Sequence, residues 1–96
     1  MSPEKQKKLN KLRKKLDKLD NSFIRLIKKR TLLVTQVLQL KEYKNQIIDK
    51  KRINLILNQI KKKSIKSRID PKITNRIWTN MIRAYIDYEK RNFKKK

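Results

Sequence analysis

The sequence predicts an all-helical fold with three helices per chain, of which the N-terminal helix is very long. Two observations favour this prediction: apolar residues recur at alternating steps of three and four, and both prolines stand where a helix would begin. No repeat, Gly/Ser-rich linker or second domain is visible. We therefore expect residues 1–96 to form a single domain, which also suits a chain of this length.

The first helix is predicted to begin at Pro3 and to run for close to 40 residues, because nothing interrupts its apolar seam before Glu42. Such a helix spans about 60 Å, whereas a compact domain of this size has a radius of gyration of only about 12 Å. One chain cannot cover it, so we expect a homodimer in which the long helices pair. The seam consists of Leu9, Leu12, Leu16, Leu19, Phe23, Leu26, Leu33, Val37 and Leu40.

Two shorter helices are predicted to follow, from about residue 49 to 64 and from about residue 71 to 93. Asp70 and Pro71 indicate the start of the last helix, because an aspartate cap and a proline at the first helical position are both favoured there. We expect Trp78 and Met81 to belong to the core. The apolar stripes are Ile53, Ile56, Leu57 and Ile60 in the second helix, and Ile73, Ile77, Met81, Ala84, Tyr85 and Tyr88 in the third.

The composition excludes several classes of site. The chain has no cysteine and no histidine, so disulfides, zinc sites and histidine-based triads are not expected. No stretch approaches 18 apolar residues, and no apolar run follows the basic N-terminus. We therefore expect a cytoplasmic protein without a metal or a membrane-spanning segment.

The formal net charge of +22 at pH 7 suggests, as one alternative, a basic helical protein that binds nucleic acid. Compositional drift at surface positions is the favoured explanation, because 22 of the 30 basic residues are lysine and they accompany 13 isoleucines and no glycine. The lysine runs at residues 61–63 and 94–96 are then solvated helix ends. Nucleic-acid binding is expected to be nonspecific at most.

Arg30 breaks the apolar seam of the first helix, because the step after Leu26 lands on this cation. A buried guanidinium without a counter-charge costs several kcal/mol, so Arg30 needs a protein carboxylate or an anionic ligand beside it. Arg13 and Lys41 lie on the shoulder of the seam, about 42 Å apart along the helix. Only antiparallel pairing with a second chain would bring both to one small ligand, and the alternative is two solvated charges.

Glu89 ends a strip of the last helix that also carries Trp78, Ile82 and Tyr85. A carboxyl group at the end of such an apolar and aromatic face can act as an acid when it is protonated. The alternative is an exposed acid that pairs with neighbouring basic side chains.

Several motifs together resemble the AroQ class (type II) of chorismate mutases. Residues 12–20 read LRKKLDKLD, Arg30 follows seventeen positions after Arg13, and Lys41 follows eleven positions later. The second helix opens with DKKR at residues 49–52. Each motif is weak by itself, but the resemblance covers essentially the whole chain.

The resemblance implies an intertwined homodimer whose two active sites are each built from both subunits. The family rearranges chorismate to prephenate in aromatic amino-acid biosynthesis, within the shikimate pathway. This pericyclic step needs a bound conformer and stabilised charge rather than a nucleophile or cofactor. By the resemblance, Arg13 of the partner subunit and Arg30 hold two carboxylates, Lys41 donates to the ether oxygen, and Asp49 and Arg52 shape the ring-facing side.

Two candidate site residues depart from the usual mutase pattern. Ile53 stands where a glutamate commonly accepts from the ring hydroxyl, and Glu89 stands where a glutamine usually donates to the ether oxygen. Because a carboxyl group donates only when it is protonated, a catalytic Glu89 predicts activity favoured by acid. Isochorismate-pyruvate lyases share the fold, tend to have an apolar residue at the position of Ile53, and carry a pair like Tyr85-Ile86. Salicylate formation is therefore the alternative activity, with Ile53 and Tyr85 as candidate substrate contacts.

Overall fold

The computed structural model describes residues 1–94, which form three α-helices and no β-strand. Helix α1 is Pro3–Leu40, α2 is Lys50–Lys66 and α3 is Pro71–Asn92, and a short 3-10 turn, Lys44–Gln46, lies between α1 and α2. The predicted all-helical class and the long first helix are confirmed. The predicted helix ends lie within two residues of the observed ones. None of the helices in residues 1–94 is long and apolar enough to cross a membrane.

The described chain divides into two compact units, Met1–Leu33 and Val34–Lys96. The first unit is the greater part of α1. Every large apolar side chain between residues 12 and 33 is 46% to 66% exposed, so most of the predicted seam is uncovered. These exposed side chains are Leu12, Leu16, Leu19, Phe23, Ile24, Leu26, Ile27, Leu32 and Leu33.

The second unit contains the end of α1, the 3-10 turn, α2 and α3, and α2 packs against α3. Ser64 lies in that contact and is buried. Its hydroxyl donates to the carbonyl of Ile60 at 2.6 Å and shares a hydrogen bond with the Thr74 hydroxyl at 2.7 Å. A buried hydroxyl is costly without a partner, so this hydroxyl pair specifies how the two helices meet.

The apolar core of the described residues is small. Leu38 and Ile47 are its only buried apolar side chains. The α2 stripe is half-buried, as is part of the α3 stripe. Trp78 and Met81, which were predicted to belong to the core, are half-buried rather than buried. Ile73 and Ile77 of the α3 stripe are 55% and 50% exposed. Ala84 of the same stripe is also exposed.

Local interactions define the helix ends. Asp70 caps α3 by accepting a backbone N–H, and Pro71 is the first residue of α3, both as predicted. Asp49 caps α2 in the same way, which was not predicted. Helix α2 ends in a Schellman motif, in which the amides of Arg68 and Ile69 donate to carbonyls of the last turn. The lysines at residues 61–63 are exposed, and so is Lys94. The rest of the C-terminal lysine run, residues 95–96, lies outside the described residues.

Candidate active site

Lys41 and Glu89 are the two predicted site residues that meet through their side chains. Lys41 follows the last residue of α1, and Glu89 lies in the last turn of α3. The Lys41 ammonium is 3.0 Å from the Oε2 atom of Glu89, so the two form an ion pair as well as a hydrogen bond. The structure therefore brings together an acid and a base that are 48 positions apart in the sequence.

Glu89 is buried, with only 8% of its surface exposed. The alternative in which it is an exposed acid at the helix end is therefore wrong, although it does pair with a basic side chain. A buried carboxylate needs a counter-charge and hydrogen bonds to offset its lost hydration, and the Lys41 ammonium supplies both. Side-chain exposure of 19% for Lys41 and 10% for Glu89 leaves the pair shielded but within reach of solvent.

The Lys41 ammonium has a second acceptor, the backbone carbonyl of Ile47, at 3.4 Å. An ammonium group carries three hydrogens. With one directed to Glu89 and one to Ile47, a third is available to a ligand. The arrangement can thus present a fixed cation and one hydrogen-bond donor to a bound anion or ether oxygen.

Asp49, Arg52 and Ile53 lie together at the start of α2. The Asp49 carboxylate accepts from the backbone N–H of Arg52 at 3.0 Å, and the Asp49 carbonyl accepts from the N–H of Ile53 at 2.9 Å. Asp49 is thereby occupied as a helix cap. The Arg52 side chain is exposed, and Ile53 is half-buried.

Tyr85 is half-buried on α3, one helical turn before Glu89. Its ring lies perpendicular to that of Tyr88, with the ring centroids 6.5 Å apart. Tyr88 in turn shares a hydrogen bond of 2.9 Å with the hydroxyl of Thr35 near the end of α1. These contacts join the C-terminal part of α1 to α3 close to the Lys41–Glu89 pair.

Arg13 and Arg30 belong to the first unit, whereas the residues described above belong to the second. Arg13 is exposed, but Arg30 is partly buried and its Nε atom is shielded from solvent. The contrast agrees with the sequence, in which Arg30 interrupts the apolar seam and Arg13 lies on its shoulder.

Comparison with protein families gives one decisive result: the family model described as chorismate mutase type II matches residues 12–90. The chain belongs to the chorismate mutase type II family. The matched span runs from before Arg13 to beyond Glu89, so it includes every predicted site residue. Searches of the curated proteins and of the solved structures found no match.

Membership of the chorismate mutase family confirms the resemblance drawn from the motifs and makes the chain an isomerase of that kind. The chemistry of this family calls for charge stabilisation and conformer binding. In residues 1–94 no group of three His, Cys, Asp or Glu side chains is placed to hold a metal ion.

Two groups that contact the candidate site residues were not predicted from the sequence. The Ile47 carbonyl is a backbone group, so no residue type signals that it accepts from Lys41. The sequence does not indicate the Thr35 contact either, because a threonine near the end of a helix is common and its partner, Tyr88, is distant in sequence. The contacts of the Ile47 carbonyl and of Thr35 are known only from the packing of the helices.

Proposed function

We propose that the protein is a chorismate mutase that converts chorismate to prephenate in aromatic amino-acid biosynthesis, acting in the cytoplasm. The observation that carries the proposal is the shielded Lys41–Glu89 pair, 3.0 Å apart, in a chain of the chorismate mutase type II family. The pair holds a cation with one donor to spare, which suits a reaction that needs stabilised charge and no covalent catalyst.

Lys41 is proposed to donate to the ether oxygen of the substrate as its bond to the ring breaks. Negative charge develops on that oxygen in the transition state, and a preoriented ammonium stabilises it without reorganising. Glu89 keeps the ammonium in place through its ion pair. When Glu89 is protonated, it becomes a second donor to the same oxygen.

The two substrate carboxylates are proposed to bind Arg30 and Arg13 of the partner subunit. Arginine suits this role because its planar fork pairs with a carboxylate through two hydrogen bonds. The partial burial of Arg30, whose Nε atom is shielded from solvent, is consistent with a place inside a binding site rather than on the open surface. Asp49, Arg52, Ile53 and Tyr85 are proposed to line the ring-facing side of the substrate.

A homodimer with shared active sites is part of the proposal. Its support is the apolar strip of residues 12–33, whose members are at least 46% exposed in the single chain. Contiguous exposed apolar surface of this kind is typical of an interface between subunits. The family match crosses the boundary between the two units, which supports treating the chain as a single domain.

A second candidate activity is cleavage of isochorismate to salicylate and pyruvate. The observation that favours it is Ile53, a half-buried apolar side chain at the position where mutases commonly have a glutamate. Isoleucine cannot accept a hydrogen bond from the ring hydroxyl of chorismate. A substrate with its hydroxyl elsewhere on the ring loses nothing at this position.

The test is turnover of chorismate by the purified full-length chain in the presence of a chelator and without added cofactor. We expect prephenate to form. Arg30→Ala should lower kcat/KM by about 100-fold or more, because a lost charge contact to the substrate is not replaced. Arg25→Ala is the matched control, since Arg25 lies on the same helix, is exposed and bonds locally to Ser22.

Parallel reactions with isochorismate distinguish the two activities. Salicylate and pyruvate in these reactions, without prephenate in the chorismate reactions, would assign the lyase activity instead. Absence of chorismate turnover between about pH 5 and about pH 8 would contradict the mutase proposal. Circular dichroism of each variant shows whether the helices remain folded.

A further inference from the structure

The segment between α1 and α2 is held together by one side chain, that of Gln46. Its Oε1 atom accepts from two backbone amides, those of Glu42 at 2.8 Å and Tyr43 at 2.9 Å. The backbone N–H of Gln46 donates to the Tyr43 carbonyl at 3.0 Å. These three bonds close a compact loop directly after Lys41.

The same loop places the Ile47 carbonyl, which accepts from the Lys41 ammonium at 3.4 Å. Ile47 is well anchored, because its side chain is only 4% exposed and its N–H donates to the Lys44 carbonyl at 3.2 Å. The Gln46 side chain thus bonds to the backbone of Glu42, which follows Lys41, while the Gln46 backbone leads directly into Ile47. The backbone of Lys41 and the acceptor of its side chain are the two ends of one hydrogen-bonded loop.

We infer that Gln46 is a positioning residue for Lys41, an inference that rests on the proposed role of Lys41 at the ether oxygen. A lysine side chain has four rotatable bonds, so a single acceptor leaves its head group free to swing. Glu89 and the Ile47 carbonyl together accept two of its three hydrogens, which fixes the ammonium and leaves one hydrogen for the substrate in the proposed mechanism. Gln46 acts on this arrangement through the loop, without touching the ammonium.

The effect of Gln46 on the position of the Lys41 ammonium can be separated from its effect on the folding stability of the protein. Gln46 is exposed, so water can replace its oxygen at the Glu42 and Tyr43 amides once the side chain is removed. The cost in folding is then small, while the loop gains freedom. Its neighbour Asn45 belongs to the same 3-10 turn and is also exposed, but its side chain makes no hydrogen bond within residues 1–94. Asn45→Ala is therefore a matched control for Gln46→Ala.

The first experiment needs no substrate. Each lysine of the full-length protein is labelled with a limiting amount of an amine-acylating reagent, and the labelling rate at Lys41 is read by peptide mass spectrometry. We expect the Lys41 rate to rise severalfold in Gln46→Ala and to stay at the wild-type value in Asn45→Ala, with the exposed lysines unchanged in both. Equal Lys41 rates in the two variants would overturn the inference.

The second experiment measures steady-state kinetics with chorismate. We expect Gln46→Ala to lower kcat by about tenfold with little change in KM, because a misplaced ammonium mainly weakens a contact made in the transition state. Gln46→Glu keeps the acceptor oxygen and should restore most of kcat. A kcat for Gln46→Ala equal to that of Asn45→Ala would contradict the inference.

The two experiments also distinguish the inference from the proposed function. If the wild-type protein does not turn over chorismate, the proposed function fails, and the labelling rates still decide whether Gln46 positions Lys41. If the wild-type protein is active and the labelling rates do not differ, the function stands and the role of Gln46 is refuted.

Discussion

By the resemblance, Glu89 occupies a position where chorismate mutases usually have glutamine, and the contacts of Glu89 bear on what a residue there can do. It is 8% exposed and lies 3.0 Å from the Lys41 ammonium. A glutamine amide would donate to the substrate at any pH, whereas a carboxylate accepts from Lys41 and donates only after protonation. In the proposed mechanism, a glutamate here holds Lys41 through an ion pair and is a second donor only when it carries a proton.

Glu89→Gln should flatten the pH dependence of kcat. A carboxylate at position 89 cannot donate to the ether oxygen, whereas a carboxyl group that carries a proton can, so the proposed role predicts activity favoured by acid. With glutamine, the donor is present throughout, so the largest gain relative to wild type is expected at neutral pH. The measurement is the pH profile of kcat for both proteins.

Asp87→Asn is the control for this comparison. Asp87 lies on the same helix, is exposed and pairs with Arg91 at 2.9 Å, so its replacement removes the same charge without touching Lys41. Its pH profile should match that of the wild type. A Glu89→Gln profile that also matches the wild type would show that Glu89 is not a donor in the reaction.

At the scale of the elements, the end of α2 lacks the glycine that usually ends a helix in this way. Arg68 has a φ angle of 58°, in the left-handed region, and it occupies the Schellman position where glycine is usual. The chain contains no glycine at all. A β-carbon in that conformation costs about 1 kcal/mol, which the two Schellman hydrogen bonds and the packing of α2 on α3 must offset.

Arg68→Gly should raise the free energy of unfolding by about 0.5 to 1 kcal/mol, measured by urea denaturation. Arg68→Ala is the control, since it removes the same positive charge but keeps the β-carbon. If both variants are equally stable, the left-handed conformation carries no measurable strain and the change comes from the charge.

At the scale of the whole molecule, exposed apolar surface favours the association of two chains, whereas the net charge of each chain opposes it. Only Leu38 and Ile47 are buried apolar residues in the described range, and the strip of residues 12–33 remains exposed in the single chain. Burial of that strip against a second chain would contribute about 25 cal/mol per Å². A net charge of +22 per chain acts against the association of two copies through mutual repulsion.

We therefore expect the protein to form a dimer whose stability increases with salt. Raising the salt to about 0.5 M shortens the screening length to a few Å and removes most of the repulsion, while the apolar contacts persist. Sedimentation at several protein concentrations should show a lower dissociation constant in high salt than in low salt. Weaker association in high salt would mean that charge pairs, rather than apolar contacts, hold the chains together.

Leu19→Asp should shift this equilibrium to the monomer by placing a charge in the apolar strip. Asn21→Asp adds the same charge at an exposed polar position of the same helix and should leave the equilibrium unchanged. If Leu19→Asp also stays dimeric, the strip is not the interface. Loss of chorismate turnover together with the dimer would support active sites shared between subunits.

The sequence by itself determined the helices and their limits. The steps of three and four, the cap at Asp70 and Pro71 at the first helical position are local features of the sequence that can be recognised without the fold. Arg30 could also be singled out from the sequence, because a cation in an apolar seam departs from a local pattern. The match between predicted and observed helices follows from this.

The tertiary structure decided which of these residues meet. Lys41 and Glu89 are 48 positions apart, and their contact depends on how the end of α3 packs beside the end of α1. The Ile47 carbonyl, the Gln46 loop and the Ser64–Thr74 hydroxyl pair likewise depend on packing. Periodicity states which face of a helix is apolar, but the direction of a single polar atom depends on the neighbours that surround it. Lys41 could thus be named from spacing and family resemblance, whereas the atoms that contact its ammonium became known only from the fold.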